Sequence, residues 1–119
     1  MMSQNKDGGK FDAVNKAVGE LQGLIGVAFE KKEALHLVER DVFRKVLQIG
    51  LAAVEVFVAM HGTGDVGPTY SPTGGKELAR QPQSKFREYE SVFGTLEIER
   101  AVYARGNKQR EFAPLDAML

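Results

Sequence analysis

Six consecutive residues of this chain spell a phosphate-binding pattern. Gly62-Thr63-Gly64-Asp65-Val66-Gly67 reads GxGxxG, the spacing that lets backbone approach a dinucleotide pyrophosphate when a strand precedes it and a helix N-terminus follows. Here a stretch of helical periodicity precedes and Pro68 follows, so the order is reversed. The glycines read instead as a helix C-cap and a turn, with Gly62 stopping the helix in the left-handed region. No cofactor is expected.

The other candidates for chemistry are sparse. His36 and His61 are the only imidazoles; His61 ends a helical pattern, where the helix dipole favours a cation. Asp65 and Asp116 read as isolated loop carboxylates suited to turn hydrogen bonds. There is no cysteine, hence no thiolate nucleophile, no disulfide and no Cys-type zinc site. No serine lies in a nucleophile-type turn, so neither catalysis nor a metal site is expected.

The remaining signal is local positive charge. Arg100, Arg105, Lys108 and Arg110 fall within eleven residues without an acid, and Lys85 and Arg87 precede them. Arg105, Lys108 and Arg110 flank a hairpin tip that could reach phosphates, with Lys85 and Arg87 in support. The opposing reading is a solvated turn with cross-strand pairs such as Arg87 with Glu97 or Glu99, since Glu88, Glu90, Glu97 and Glu99 dilute the patch.

The elements that must position these residues can be read from periodicity. Residues 1–9 are polar and predict a disordered tail. Phe11, Val14, Val18, Leu21 and Leu24-Ile25 recur at three and four residues, one face of a first helix. Leu35, Val38, Val42, Val46, Ile49, Ala53, Val56 and Met60 do the same over about 33–61, a second and long helix. Its second half, Val46–Met60, has twelve apolar residues in fifteen and reads as a buried helix needing cover on several sides. Glycines and prolines crowd residues 62–84, a loop or linker without a continuous helix or central strand.

Beyond it lie a strand near Lys85–Val92, a turn at Phe93-Gly94, a strand Thr95–Ala104, a turn at 105–108 and a short strand near 110–113. Strict alternation puts Leu96, Ile98, Arg100 and Val102 on one face and Glu97, Glu99, Ala101 and Tyr103 on the other. Arg100 on the apolar face needs a partner, and Glu55 of the second helix is the candidate for a structural bridge. Tyr103 falls on the opposite, exposed face. The fold class is therefore α+β: two helices, the second long, packed with a small antiparallel sheet of two or three strands over about 85–113. Residues 10–61 form the helical part and 85–119 the hairpin part of one domain.

Several separated motifs then agree with one family. The Phe93-Gly94 turn, Ile98, Arg100 and Tyr103, the basic loop and Pro114-Leu115-Asp116-Ala117 resemble the N-terminal region of the ISKra transposases of bacterial insertion sequences, and the ISLre type is similar around the same hairpin. Upstream, Val38–Arg44 with Leu47 and Gly50, then His61–Gly67, match in order and spacing. The resemblance covers about residues 33–119. It implies a DDE-type transposase whose ribonuclease-H-like catalytic domain, with carboxylates holding two metal ions, lies C-terminal to this region. The chain stops at Leu119, so it is expected to be a truncated, non-catalytic portion that assists transposon-end DNA binding. The alternatives are a self-association module working through the apolar half of the second helix, and an inactive remnant.

Composition bounds these readings. In 119 residues, sixteen basic and sixteen acidic side chains cancel, eight against eight in each half, so global charge gives no support for nucleic-acid binding. The polar start lacks an apolar signal core, and the apolar run at 46–60 is too short to span a bilayer. The expectation is a cytoplasmic protein, off the membrane, with DNA and a second copy of itself as possible partners.

Overall fold

The computed structural model describes residues 9–72, 75, 77–105 and 111–119. In chain order these form α1 (Asp12–Glu30), α2 (Leu35–Ala59), β1 (Thr69–Tyr70), β2 (Leu78–Arg80), β3 (Lys85–Ser91), β4 (Gly94–Arg100), β5 (Tyr103–Ala104) and α3 (Pro114–Met118). The class is α+β. Two compact units divide the chain: Met1–Phe57 with Glu90–Gly94, and Val58–Tyr89 with Thr95–Leu119.

The first unit is a helical hairpin. α1 closes with the Lys32 and Glu33 N–H groups donating to the Phe29 and Ala28 carbonyls at 3.2 and 3.0 Å. That crossed pair is a Schellman ending. Lys32 takes its left-handed position at φ 57, a conformation that costs a non-glycine residue about 1–2 kcal/mol. Lys45 of α2 donates to Glu20 of α1 at 2.9 Å. Each of the two lies ten residues from the helix end that faces the connection, so the helices run side by side and antiparallel. The Phe93 ring occupies the space a Gly50 side chain would take, and a Cβ on Gly94 would meet Leu51 Cδ2 at 3.3 Å. Ser91 braces this tip, its hydroxyl donating to Gly94 O and accepting from Phe93 N–H.

The burial of this unit differs from the sequence expectation. No residue of α2 is buried, and only Ala17 and Ala28 of α1 are. The periodicity of α2 is real, but one neighbouring helix and a hairpin tip supply too little surface to enclose a helix that is apolar on most sides.

The second unit holds the core. β1, β2 and β5 form an antiparallel sheet with β2 in the centre, Thr69 opposite Ala79 and Arg80 opposite Tyr103. The region read as linker thus supplies two strands, one of them central. Three residues of strand suffice there, because Arg80 N–H bonds Pro68 O and Gln81 N–H bonds Val102 O, so no uninterrupted run was needed. β3 and β4 form a separate two-stranded sheet.

The strand expected over Thr95–Ala104 is broken. After Arg100 the Ala101 N–H turns to Thr63 O, 2.9 Å away, and β5 joins the other sheet. Alternation therefore fails. Ala101, Val102, Tyr103 and Ala104 are all buried, and Tyr103, expected on the exposed face, has 0% exposure. It packs with Leu78, Ala101 and Tyr70, its ring 5.5 Å from that of Tyr70. The expected last strand near 110–113 reduces to one bridge, Tyr103 with Phe112, while residues 106–110 lie outside the described ones. The 1–9 tail is likewise outside, except Gly9.

Candidate nucleic-acid interface

The cations singled out from the sequence divide into two groups. Lys85 pairs with Glu111 at 2.9 Å. Arg87 pairs with Asp116 at 3.2 Å, and Arg100 reaches the other oxygen of the same carboxylate at 2.9 Å. Alternation along β3 and β4 explains the sharing, since Lys85 and Arg87 point to the side where Leu96, Ile98 and Arg100 face the C-terminal segment. The bridge expected from Arg100 to Glu55 is thus replaced by one to Asp116. A carboxylate on the adjoining α3 satisfies two guanidinium groups at once, although the Arg100 Nε is left buried without a hydrogen-bond partner among the described residues. Nor does Arg87 pair with Glu97 or Glu99; Glu99 instead accepts from the Ser84 hydroxyl at 2.6 Å.

The opposite side of the two-stranded sheet carries Glu88, Glu90, Glu97 and Glu99, all exposed. Such a row repels phosphates. Of the remaining three cations, Arg105 is exposed at the end of β5, and Lys108 and Arg110 lie in the stretch outside the described residues. Among the described residues, the cations of the strand faces, Lys85, Arg87 and Arg100, are thus each paired with a carboxylate.

Beside β5 lies a polar cluster the sequence did not reveal. Gly62 and Gly64 both hold positive φ, 66 and 80. Gly62 ends α2 as expected, its N–H on Ala59 O at 2.9 Å. Gly64 does something else: a Cβ there would lie 2.8 Å from the Leu115 nitrogen. Leu115 is completely buried. Next in line, Asp65 accepts the Gly67 N–H at 2.9 Å, the expected turn bond. It also holds the Arg80 guanidinium, with Nη1 2.7 and 2.8 Å from its two oxygens.

The Tyr103 hydroxyl donates to Gly67 O at 2.7 Å, accepts Val66 N–H at 3.0 Å and sits 3.2 Å from Asp65 Oδ1. The Gly67 N–H first, then the Arg80 guanidinium, holds the Asp65 carboxyl below the usual carboxylate range, and the Arg80 pKa is raised by the same bond. Arg80 lies thirteen residues past Gly67 and five past Gly75, so no local spacing in the sequence signalled this pair.

Beside the cluster lies an open hollow of about 430 Å³ lined by Thr63, Asp65, Arg80, Ser84, Glu99 and Ala101 among others. Its charged groups already have partners: Asp65 holds Arg80, and Glu99 accepts from the Ser84 hydroxyl. Among the described residues no group of three or more His, Asp or Glu side chains could hold a metal ion. No helix among them is long and apolar enough to cross a membrane. Comparison with family models, with curated proteins and with solved structures gives no match.

Proposed function

We propose that this chain is the non-catalytic N-terminal portion of an ISKra-like transposase, and that its second unit helps to hold transposon-end DNA through the loop bearing Arg105, Lys108 and Arg110. The observation that supports this reading is that several of the separated signature motifs, those at 62–67, 98–103 and 114–117, come together in the second unit. Gly64 lies against Leu115, Asp65 binds Tyr103 and Arg80, and Arg100 binds Asp116. Residues that mark the resemblance are thus used to build a scaffold. The strand cations Lys85, Arg87 and Arg100 already have carboxylate partners, so this reading assigns the phosphate contacts to Arg105, Lys108 and Arg110.

Lys85 and Arg87 are assigned to the scaffold in this reading, since each has a carboxylate partner. The test is salt-dependent binding of the chain to duplex DNA carrying the terminal repeat of its element. Substituting Arg105, Lys108 and Arg110 together by alanine should lower the log-log salt slope by about one to three. Lys85→Ala with Arg87→Ala should leave that slope unchanged. A slope indifferent to the loop triple variant, or no binding at low salt, refutes the assignment.

A further inference from the structure

The helical unit exposes apolar side chains in a pattern. Along α2, Phe43, Val46, Gly50, Ala53 and Phe57 follow one another at three, four, three and four residues, the spacing of a coiled-coil seam. At Gly50 the Phe93 ring fills the missing side chain's place, so the row is continuous and uncharged. Phe43 is 62% exposed, Val46 45% and Phe57 58%, and Ala53 is exposed as well. The exposed Glu39 ends the uncharged row at its N-terminal end, and Leu35, 81% exposed, lies beyond it on the same side. On α1, Ile25 and Phe29 are exposed by 49% and 83%.

The two rows share one side of the hairpin. At 3.6 residues per turn, the α1 row is displaced by about 100° from the line of Ala17 and Ala28, which are buried against the rest of the unit. The α2 row is displaced by about the same angle, in the same rotational sense, from Lys45, which reaches across to Glu20. In an antiparallel pair those displacements bring both rows to the same side. The outer side of α2, with Arg44, Gln48 and Glu55, is polar.

We propose that this side of α1 and α2 is covered by the same side of a second copy, completing a bundle of four helices about a twofold axis. Two features of the face select a second copy as the occupant. From Phe43 to Phe57 a charge-free row with three-four spacing is matched by its own image, which supplies equivalent knobs and holes, whereas the polar outer side offers no such match. The exposed parts of Phe29, Phe43 and Phe57, taking about 200 Å² per ring, with Ile25, Leu35 and Val46, come to about 600 Å² per copy. That meets the lower bound of about 600 Å² a side for a specific interface. Four helices then provide the buried core that two leave unmade.

Sedimentation equilibrium between 1 and 100 µM tests this without reference to DNA. The chain should sediment at twice its 13.1 kDa mass toward the upper end, and Phe29→Asp with Phe43→Asp should weaken association at least 100-fold with the helical circular dichroism retained. A single-chain mass at 100 µM overturns the proposal, as does a double variant that dimerises like the parent. Because the chain has no cysteine, single thiols give a second readout that does not depend on the double variant folding. Alkylation of Ala53→Cys should slow at least ten-fold from 1 to 100 µM while Gln48→Cys on the outer side is unaffected; equal rates for the two at both concentrations refute the face assigned.

Discussion

Gly64→Ala separates a backbone effect from a packing effect within one loop. Gly62 and Gly64 both sit at positive φ, 66 and 80, so an alanine at either position incurs about 1–2 kcal/mol of left-handed strain. Around Gly62 a new Cβ finds nothing within 4 Å. At Gly64 it would lie 2.8, 2.9 and 3.1 Å from the nitrogen, Cβ and Cα of Leu115. Two of those three atoms are backbone, at the start of α3, so no side chain can swing aside. Leu115 itself has 0% exposure and cannot shift without reopening the core. Overpacking of this kind adds about 1–3 kcal/mol, for a total near 2–5 kcal/mol against about 1–2 for Gly62→Ala.

The measurement is urea unfolding of both variants with linear extrapolation, joined to amide exchange at Tyr103 and Phe112, whose mutual hydrogen bonds are 2.7 Å. Gly64→Ala should lose at least about 1 kcal/mol more than Gly62→Ala and should speed exchange at both amides. Equal losses within about 0.5 kcal/mol, the usual scatter of surface substitutions, would mean that α3 does not dock on the glycine loop. The convergence of motifs behind the functional proposal would then lose its support.

Two further outcomes bear on the same unit. Tyr103→Phe removes the hydroxyl that serves both Val66 N–H and Gly67 O, leaving part-buried polar groups unpaired at about 1–3 kcal/mol, and thermal unfolding should fall by at least about 4 °C; an unchanged midpoint contradicts the bond. The Asp65 carboxyl titrates lower in the folded state than in the unfolded chain, first because of Gly67 N–H and then Arg80. Its contribution is therefore present above the unfolded value near ~3.9 and is lost as pH falls through the lower folded value. Denaturant titrations from pH 7 to 2.5 should show an acid limb below about pH 4 that is shallower in Asp65→Asn, and a limb of unchanged slope refutes the assignment.

Periodicity and turn chemistry, which are properties of neighbouring residues, were decisive for the elements. The three-four spacing from Leu35 to Met60 determines a long helix, and Gly62 marks its end at the left-handed residue, because those features act within a few residues of themselves. Alternation from Leu96 to Arg100 likewise determines β4 and its inward face, where Leu96 and Ile98 are 2% and 5% exposed. The end of α1 was less legible, since Lys32 and not glycine occupies its left-handed position.

What only the tertiary structure decided concerns partners far apart in the chain. Nothing local tells Ala101 to leave β4 for Thr63, yet that one bond rotates Tyr103 from the expected surface into the core. The choice of Asp116 over Glu55 for Arg100 is of the same kind, as is the capture of Arg80 by Asp65 fifteen residues away. Ion pairs and strand exchanges depend on which segments meet, and pairing energies of this size are not written into any single stretch. The apolar character of α2 was plain from its residues, but whether that surface would be enclosed depended on how many neighbours the fold supplies, and it supplies too few to bury any residue of the helix.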